Sequence, residues 1–217
     1  MKFAKWFIAA GVLAVAVAIP AQAQDKKEVQ GYIAGGYVMP EGHAADYLND
    51  GWNISGGAIF RPRPEKPFGV RVDFGYSTMD ANNKAVNALA AKGFQANDGY
   101  MSMWNLTAEA LWEFGNPDKV GGYLGVGGGG YRRYTALTAQ ALVSGAYCDP
   151  WLGWCYPYTT VGTVVTNSDT LTKWGWSTAL GMTFAVGNGQ MYLEARYHWM
   201  QSSPTTQYLP ILIGYRF

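Results

Sequence analysis

The stretch QYLPILIGYRF, residues 207–217, reads as a strand. Ile211, Ile213, Tyr215 and Phe217 fall on one face, and Leu212, Gly214 and Arg216 fall on the other. That is the period of two that a pleated strand imposes on its side chains. Chain ends in water usually fray. An apolar face carried to the last residue therefore needs something apolar to cover it.

The same alternation recurs upstream. In FGVRVDFGY (68–76), Phe68, Val70, Val72, Phe74 and Tyr76 oppose Arg71, Asp73 and Gly75. In WNLTAEALWEF (104–114), Trp104, Leu106, Ala108, Ala110, Trp112 and Phe114 oppose Asn105, Thr107, Glu109 and Glu113. WGWSTALGMTFAV (174–186) and YLEARYHWM (192–200) repeat it, the latter with Glu194, Arg196 and His198 on the polar face. GWNISGGAIF (51–60) and VGGYLGVGGGGYRRY (120–134) are weaker, and VQGYIAGGYVM (29–39) has no assignable faces. These segments make eight strands, each close to the ~9–11 residues that cross a bilayer when tilted. The connections alternate between short (61–67, 115–119, 187–190) and long (about 41–51, 78–100, 135–172, 201–206). Short turns on one side and long loops on the other are the pattern of an outer-membrane barrel.

Composition agrees. The chain holds 15 Tyr, 9 Trp, 9 Phe and 28 Gly, with charged residues at 14%, against the roughly 25% usual in soluble domains. Trp52, Trp104, Trp174, Trp176 and Trp199 fall at outer strand ends, and Phe60, Phe68, Trp112, Phe114, Phe184 and Phe217 at inner ends. Aromatic girdles at both interfaces are expected of a barrel in lipid. At the amino end, Lys2 and Lys5 precede the apolar run FIAAGVLAVAVAI, and Ala21-Gln22-Ala23 follows. The run is too short for a spanning helix and has the layout of a secretory signal peptide. Residues 1–23 are thus expected to be removed, leaving one barrel domain over 24–217. A net charge of +1 argues against a nucleic-acid partner.

The closing LPILIGYRF, together with LEARYHW and YLGVGGGGYRR, resembles the outer-membrane β-barrel family of the outer-membrane protein A type. The resemblance covers nearly all of residues 29–217. It implies an all-β, closed, antiparallel, eight-stranded up-and-down barrel in the bacterial outer membrane, in contact with outer-membrane lipid and lipopolysaccharide. It also implies that Gly214, Tyr215 and Phe217 form the signal read by the barrel-assembly machinery. The soluble peptidoglycan-binding domain of some family members is not expected here.

Strand parity sends Arg61, Arg71, Asp73, Glu109, Glu194, Arg196 and Arg216 inside. They form either a selectivity filter or a plug of salt bridges. An eight-stranded interior is only wide enough for side chains to fill it, which favours the plug, with Glu194 and Arg216 as expected partners on adjacent strands. A lipid-modifying enzyme would need a nucleophile and base at the rim. His198, Ser202, Ser203 and Glu194 are the nearest candidates, but HWMQSS does not match the His-x-Ser motif of lipid A deacylase barrels. No catalytic residue, cofactor or metal site is assigned, since neither His43 nor His198 has metal-ligand spacing.

The third long connection contains YCDPWLGWCYPY (147–158). Two cysteines in an exported chain read as one disulfide, Cys148–Cys155. The ring would hold Trp151 and Trp154 and be flanked by Tyr147, Tyr156 and Tyr158. Two readings stand: an aromatic knob that binds a surface partner, with Trp151, Trp154 and Tyr156 as anchors, or a knob that packs on the barrel mouth or in lipopolysaccharide. NKAVNALAAKGF (83–94) is either a short helix ending at Gly93 or a loop. The function expected is non-enzymatic, structural or surface-interacting, with a small porin or a lipid-active enzyme as alternatives. No extracellular ligand can be named from the sequence.

Overall fold

Eight antiparallel strands close on themselves in chain order, with β1 and β8 paired. The computed structural model describes residues 28–93, 96–116, 119–150 and 153–217; the expected signal peptide lies outside them. The strands are β1 Val29–Glu41, β2 Leu48–Phe60, β3 Phe68–Ala81, β4 Asp98–Gly115, β5 Val120–Cys148, β6 Cys155–Val186, β7 Gly189–Met200 and β8 Thr206–Arg216. Closure is what lipid demands, because an unpaired strand edge in hydrocarbon would leave its N–H and C=O groups unsatisfied.

The alternation seen in the sequence becomes two surfaces. Phe68 is 64% exposed and Leu106 57%, whereas Arg71 is 1% and Glu194 0% exposed. In a bilayer the first pair meets acyl chains. Outer-end aromatics touch along the surface: Trp52 with Tyr76 at 5.4 Å, Tyr76 with Trp104 at 4.5 Å, and Trp176 with Trp199 at 6.0 Å between ring centroids. Trp112 and Phe114 pair at 5.9 Å near the inner end. From Trp104 to Trp112 the strand runs about 26 Å at ~3.3 Å per residue, which strand tilt reduces toward the height of an apolar band.

The structure settles the first strand. Gln30, Tyr32, Ala34 and Val38 point inward, while Val29, Ile33 and Tyr37 point out. Its periodicity was masked by Gly31, Gly35 and Gly36 and by apolar residues on both faces.

The stretch 135–172 is not a loop. Past the barrel rim β5 and β6 continue as a two-stranded ribbon, in register from Thr138↔Val165 to Cys148↔Cys155 after a shift at Leu137. The segment is rich in Thr and Val, which favour strand. Outside lipid, however, neither face needs an apolar cover, so the alternation that marks the spanning strands fades.

The short helix does form, as α1, Asn83–Ala90. Asn82 caps it by accepting from the Ala85 N–H at 2.9 Å. It ends at Ala90 and the chain turns through Gly93, whose φ is +87°. The outer connections are tied together: Asn82 donates through its backbone N–H to the Tyr47 carbonyl at 2.9 Å and through Nδ2 to the Asp46 carbonyl at 3.0 Å. The Asn97 N–H reaches the Thr138 carbonyl at 2.8 Å, bracing the base of the ribbon.

Candidate functional site

The inward residues of six strands meet in one charged network. Arg71 on β3 lies directly opposite Glu109 on β4 and donates to it through Nε at 2.8 Å. Its Nη1 crosses the lumen to Glu194 on β7. Arg196 on β7 reaches back to Asp73 at 2.7 Å and holds Glu194 at 2.6 Å. Neutral donors complete the carboxylates: Ser177 to Glu109 at 2.5 Å, Tyr123 to Glu194 at 2.6 Å, Asn105 to Asp73 at 3.3 Å, and Tyr32 to Asp73. A buried ion pair persists only with such geometry and such additional hydrogen bonds.

Layers of other chemistry flank this network. Toward the short turns lie Tyr32, Ile59, Leu111, Tyr123, Tyr192 and Leu212. Arg216 stacks on this layer, its guanidinium 4.3 Å from the Tyr123 ring centre and 5.2 Å from that of Tyr192. Toward the outer mouth, His198 shares a 2.9 Å hydrogen bond with Tyr131 and stacks on Tyr208. Above them Met79, Met101, Met103 and Met200 fill the barrel.

One expected pairing is corrected. Arg216 does not partner Glu194; it reaches Glu113 on β4 at 2.9 Å, and Arg61 reaches the same carboxylate at 2.7 Å. The β7–β8 register explains this, since it sets Gln190 opposite Arg216 and Leu212 opposite Glu194. With Glu113, the central network and the inner end hold four arginines (61, 71, 196, 216) against four carboxylates (73, 109, 113, 194); Arg133, also inward, donates to Thr206 Oγ1 at 2.8 Å near the outer mouth. Glu113 lies on the polar face of its strand but is missing from the inward set expected from the sequence, and its partnership follows only from the register. Tyr32 as a ligand of Asp73 was hidden with the unassigned first strand.

The hydrolase candidates go separate ways. His198 is buried in the lumen, whereas the Ser202 hydroxyl donates to the Pro204 carbonyl at 2.7 Å and lies 3.1 Å from Thr206 Oγ1. Glu194 is held by arginines. His43 lies on the surface 3.9 Å from Asp46.

The ribbon is the other candidate site. Cys148 and Cys155 are joined by a disulfide at its tip. Trp154 is 69% exposed and Tyr147 62% exposed, with Tyr156 and Tyr158 also in solvent. Tyr147 lies opposite Tyr156 on one face, and the Tyr158 ring crosses Gly145 next along it. Trp151 lies outside the described residues. The tip therefore stands clear of the mouth instead of packing on it, and between 135 and 172 only Asp149 and Asp169 are charged.

The sequence matches the family described as outer membrane protein beta-barrel domain over residues 8–217. The chain belongs to this family. It is accordingly a protein of the bacterial outer membrane. Among solved structures, Neisserial surface protein A is 13% identical with a TM-score of 0.56, over 88% of this chain and 96% of that one. The attachment invasion locus protein Ail of Yersinia pestis, solved with the heparin analogue sucrose octasulfate, is 17% identical with a TM-score of 0.45, over 88% and 100%. OprG from Pseudomonas aeruginosa is 11% identical with a TM-score of 0.42, over 90% and 99%. At such identities the likeness to Neisserial surface protein A speaks for the fold alone. No curated protein sequence matches the chain.

The family's closing aromatics have structural partners here. Phe217 donates its N–H to the Gly31 carbonyl at 3.0 Å and lays its ring over Gly31. Tyr215 covers Gly189 and donates to the Val186 carbonyl at 3.4 Å. Gly214 faces the lumen, where the Tyr192 ring lies 2.5 Å from the place a Cβ would occupy.

Proposed function

We propose that this protein is a sealed, non-enzymatic outer-membrane barrel whose β5–β6 ribbon binds an extracellular polypeptide. The ribbon itself carries the reading. From Thr138 to Cys148 it projects about 33 Å at ~3.3 Å per residue, and its tip is closed by a disulfide. Between Tyr156 and Val165, β6 pairs with β5 and with no other strand among the described residues. Natural edge strands are usually blunted by charge or proline; here a proline, Pro157, stands only at the tip end, and YTTVGTVV (158–165) has neither. Such an edge accepts an added strand through its main chain, and the tip aromatics supply rigid anchors at low entropy cost.

The test uses the full barrel in nanodiscs. A displayed peptide library is panned against the wild type and against a variant whose residues 141–162 are replaced by a tight turn. Enrichment of strand-forming peptides by the wild type, lost in the variant, is the expected result. Enrichment that survives the replacement, or none by either protein, contradicts it.

A further inference from the structure

The lumen wall of β2, β3 and β4 carries a group of polar atoms that the charged network does not use. Asn53 Oδ1, Ser55 Oγ, Asn105 Oδ1 and Thr107 Oγ1 are buried without a protein hydrogen-bond partner. Their residues are all at least nine-tenths buried. Buried polar groups are nearly always satisfied by protein or by ordered water.

The register brings them together. Ser55, Gly75 and Asn105 lie in one row across the three strands, and Gly57, Asp73 and Thr107 lie in the next. Asn53 lies opposite Ser77 in the row above and donates to its hydroxyl at 2.7 Å. Gly75 has no side chain, so the Asn105 amide folds over it, with Oδ1 2.6 Å from where a Cβ would stand. The orientation of that amide is set by Asp73, which as a carboxylate can only accept and takes the Asn105 Nδ2–H at 3.3 Å. Oδ1 is therefore turned away from Asp73, over the glycine that separates Asn105 from Ser55. Beside Asp73 the place of a Gly57 side chain is taken by the Tyr32 hydroxyl, 2.9 Å from where a Cβ would stand.

We infer that this cradle around Gly75 is a binding site for ordered water. Water suits it because two of the four groups are amide oxygens that only accept, while the two hydroxyls can both donate and accept. Asn53 and Thr107 stand two rows apart, on either side of the Ser55–Gly75–Asn105 row, so a water between Ser55 and Asn105 forms the centre of the site and further waters serve Asn53 and Thr107, each with the two to four polar partners such sites need. Bound there, the water hydrates the wall next to Asp73 and leaves its pairing with Arg196 intact. The methionine layer above and the tyrosine layer below remain dry. The lumen is thus sealed at both ends by apolar and aromatic side chains around a hydrated pocket.

Crystals of the wild-type barrel, at a resolution that shows ordered solvent, are expected to hold water at ~2.7–3.2 Å from Ser55 Oγ and Asn105 Oδ1. A cradle without solvent density overturns the inference. Ser55→Ala combined with Thr107→Val gives an independent reading in urea unfolding of the full barrel. Removing partners of a bound water lowers the midpoint, whereas removing unsatisfied hydroxyls from a dry site raises it. A raised or unchanged midpoint counts against the site, and if the double variant does not fold, the wild-type density decides.

Discussion

Glu194 shows what the lumen asks of a single side chain. It accepts from Tyr123 and sits between Arg71 and Arg196. Glu194→Gln keeps the volume but leaves two buried guanidinium groups short of charge. We expect a loss on the order of 3–5 kcal/mol, as for a broken buried pair, read from urea unfolding. Glu113→Gln should cost less, because Glu113 lies at the barrel end with its side chain 11% exposed. Equal costs would mean that the central network is no more tightly coupled than its rim. Strand parity made the inward set legible, since it depends only on counting by two. Partners were not legible, because they depend on barrel shear: Gln190, not Glu194, faces Arg216.

At the scale of elements, glycine and aromatic residues are matched across strands. Tyr123 fills the space over Gly181, Tyr192 that over Gly214 and Phe217 that over Gly31. Phe217 thus has a place in the fold as well as in the family's assembly signal. We propose that its main effect is on assembly: deleting it should leave unassembled chain in the periplasm while refolding into detergent proceeds normally. Equal defects in cells and in detergent would assign the residue to folding alone. The ribbon gives a second test. Cys148→Ser with Cys155→Ser removes a short-loop crosslink of roughly 2–3 kcal/mol on the chain-entropy model. Its effect should stay local, with faster protease cleavage near the tip and no change in barrel unfolding. Slower insertion or a lower barrel midpoint would contradict that independence. The spanning strands were readable because lipid forces alternation. Nothing outside lipid forces alternation on the ribbon, so its sequence carries the signature of a long connection and not of a strand pair.

For the whole molecule, the pattern of short turns, long connections and aromatic girdles was enough to read a closed eight-stranded barrel. What fills it required coordinates, because the methionine layer, the charged network and the tyrosine layer are assembled from residues far apart in sequence. We propose that these layers seal the lumen and leave interaction to the ribbon. Single-molecule conductance of the purified barrel in planar bilayers tests it most directly. A silent membrane, with no stable open level, is expected; a steady channel of porin size would overturn the sealed lumen and make the protein a transporter.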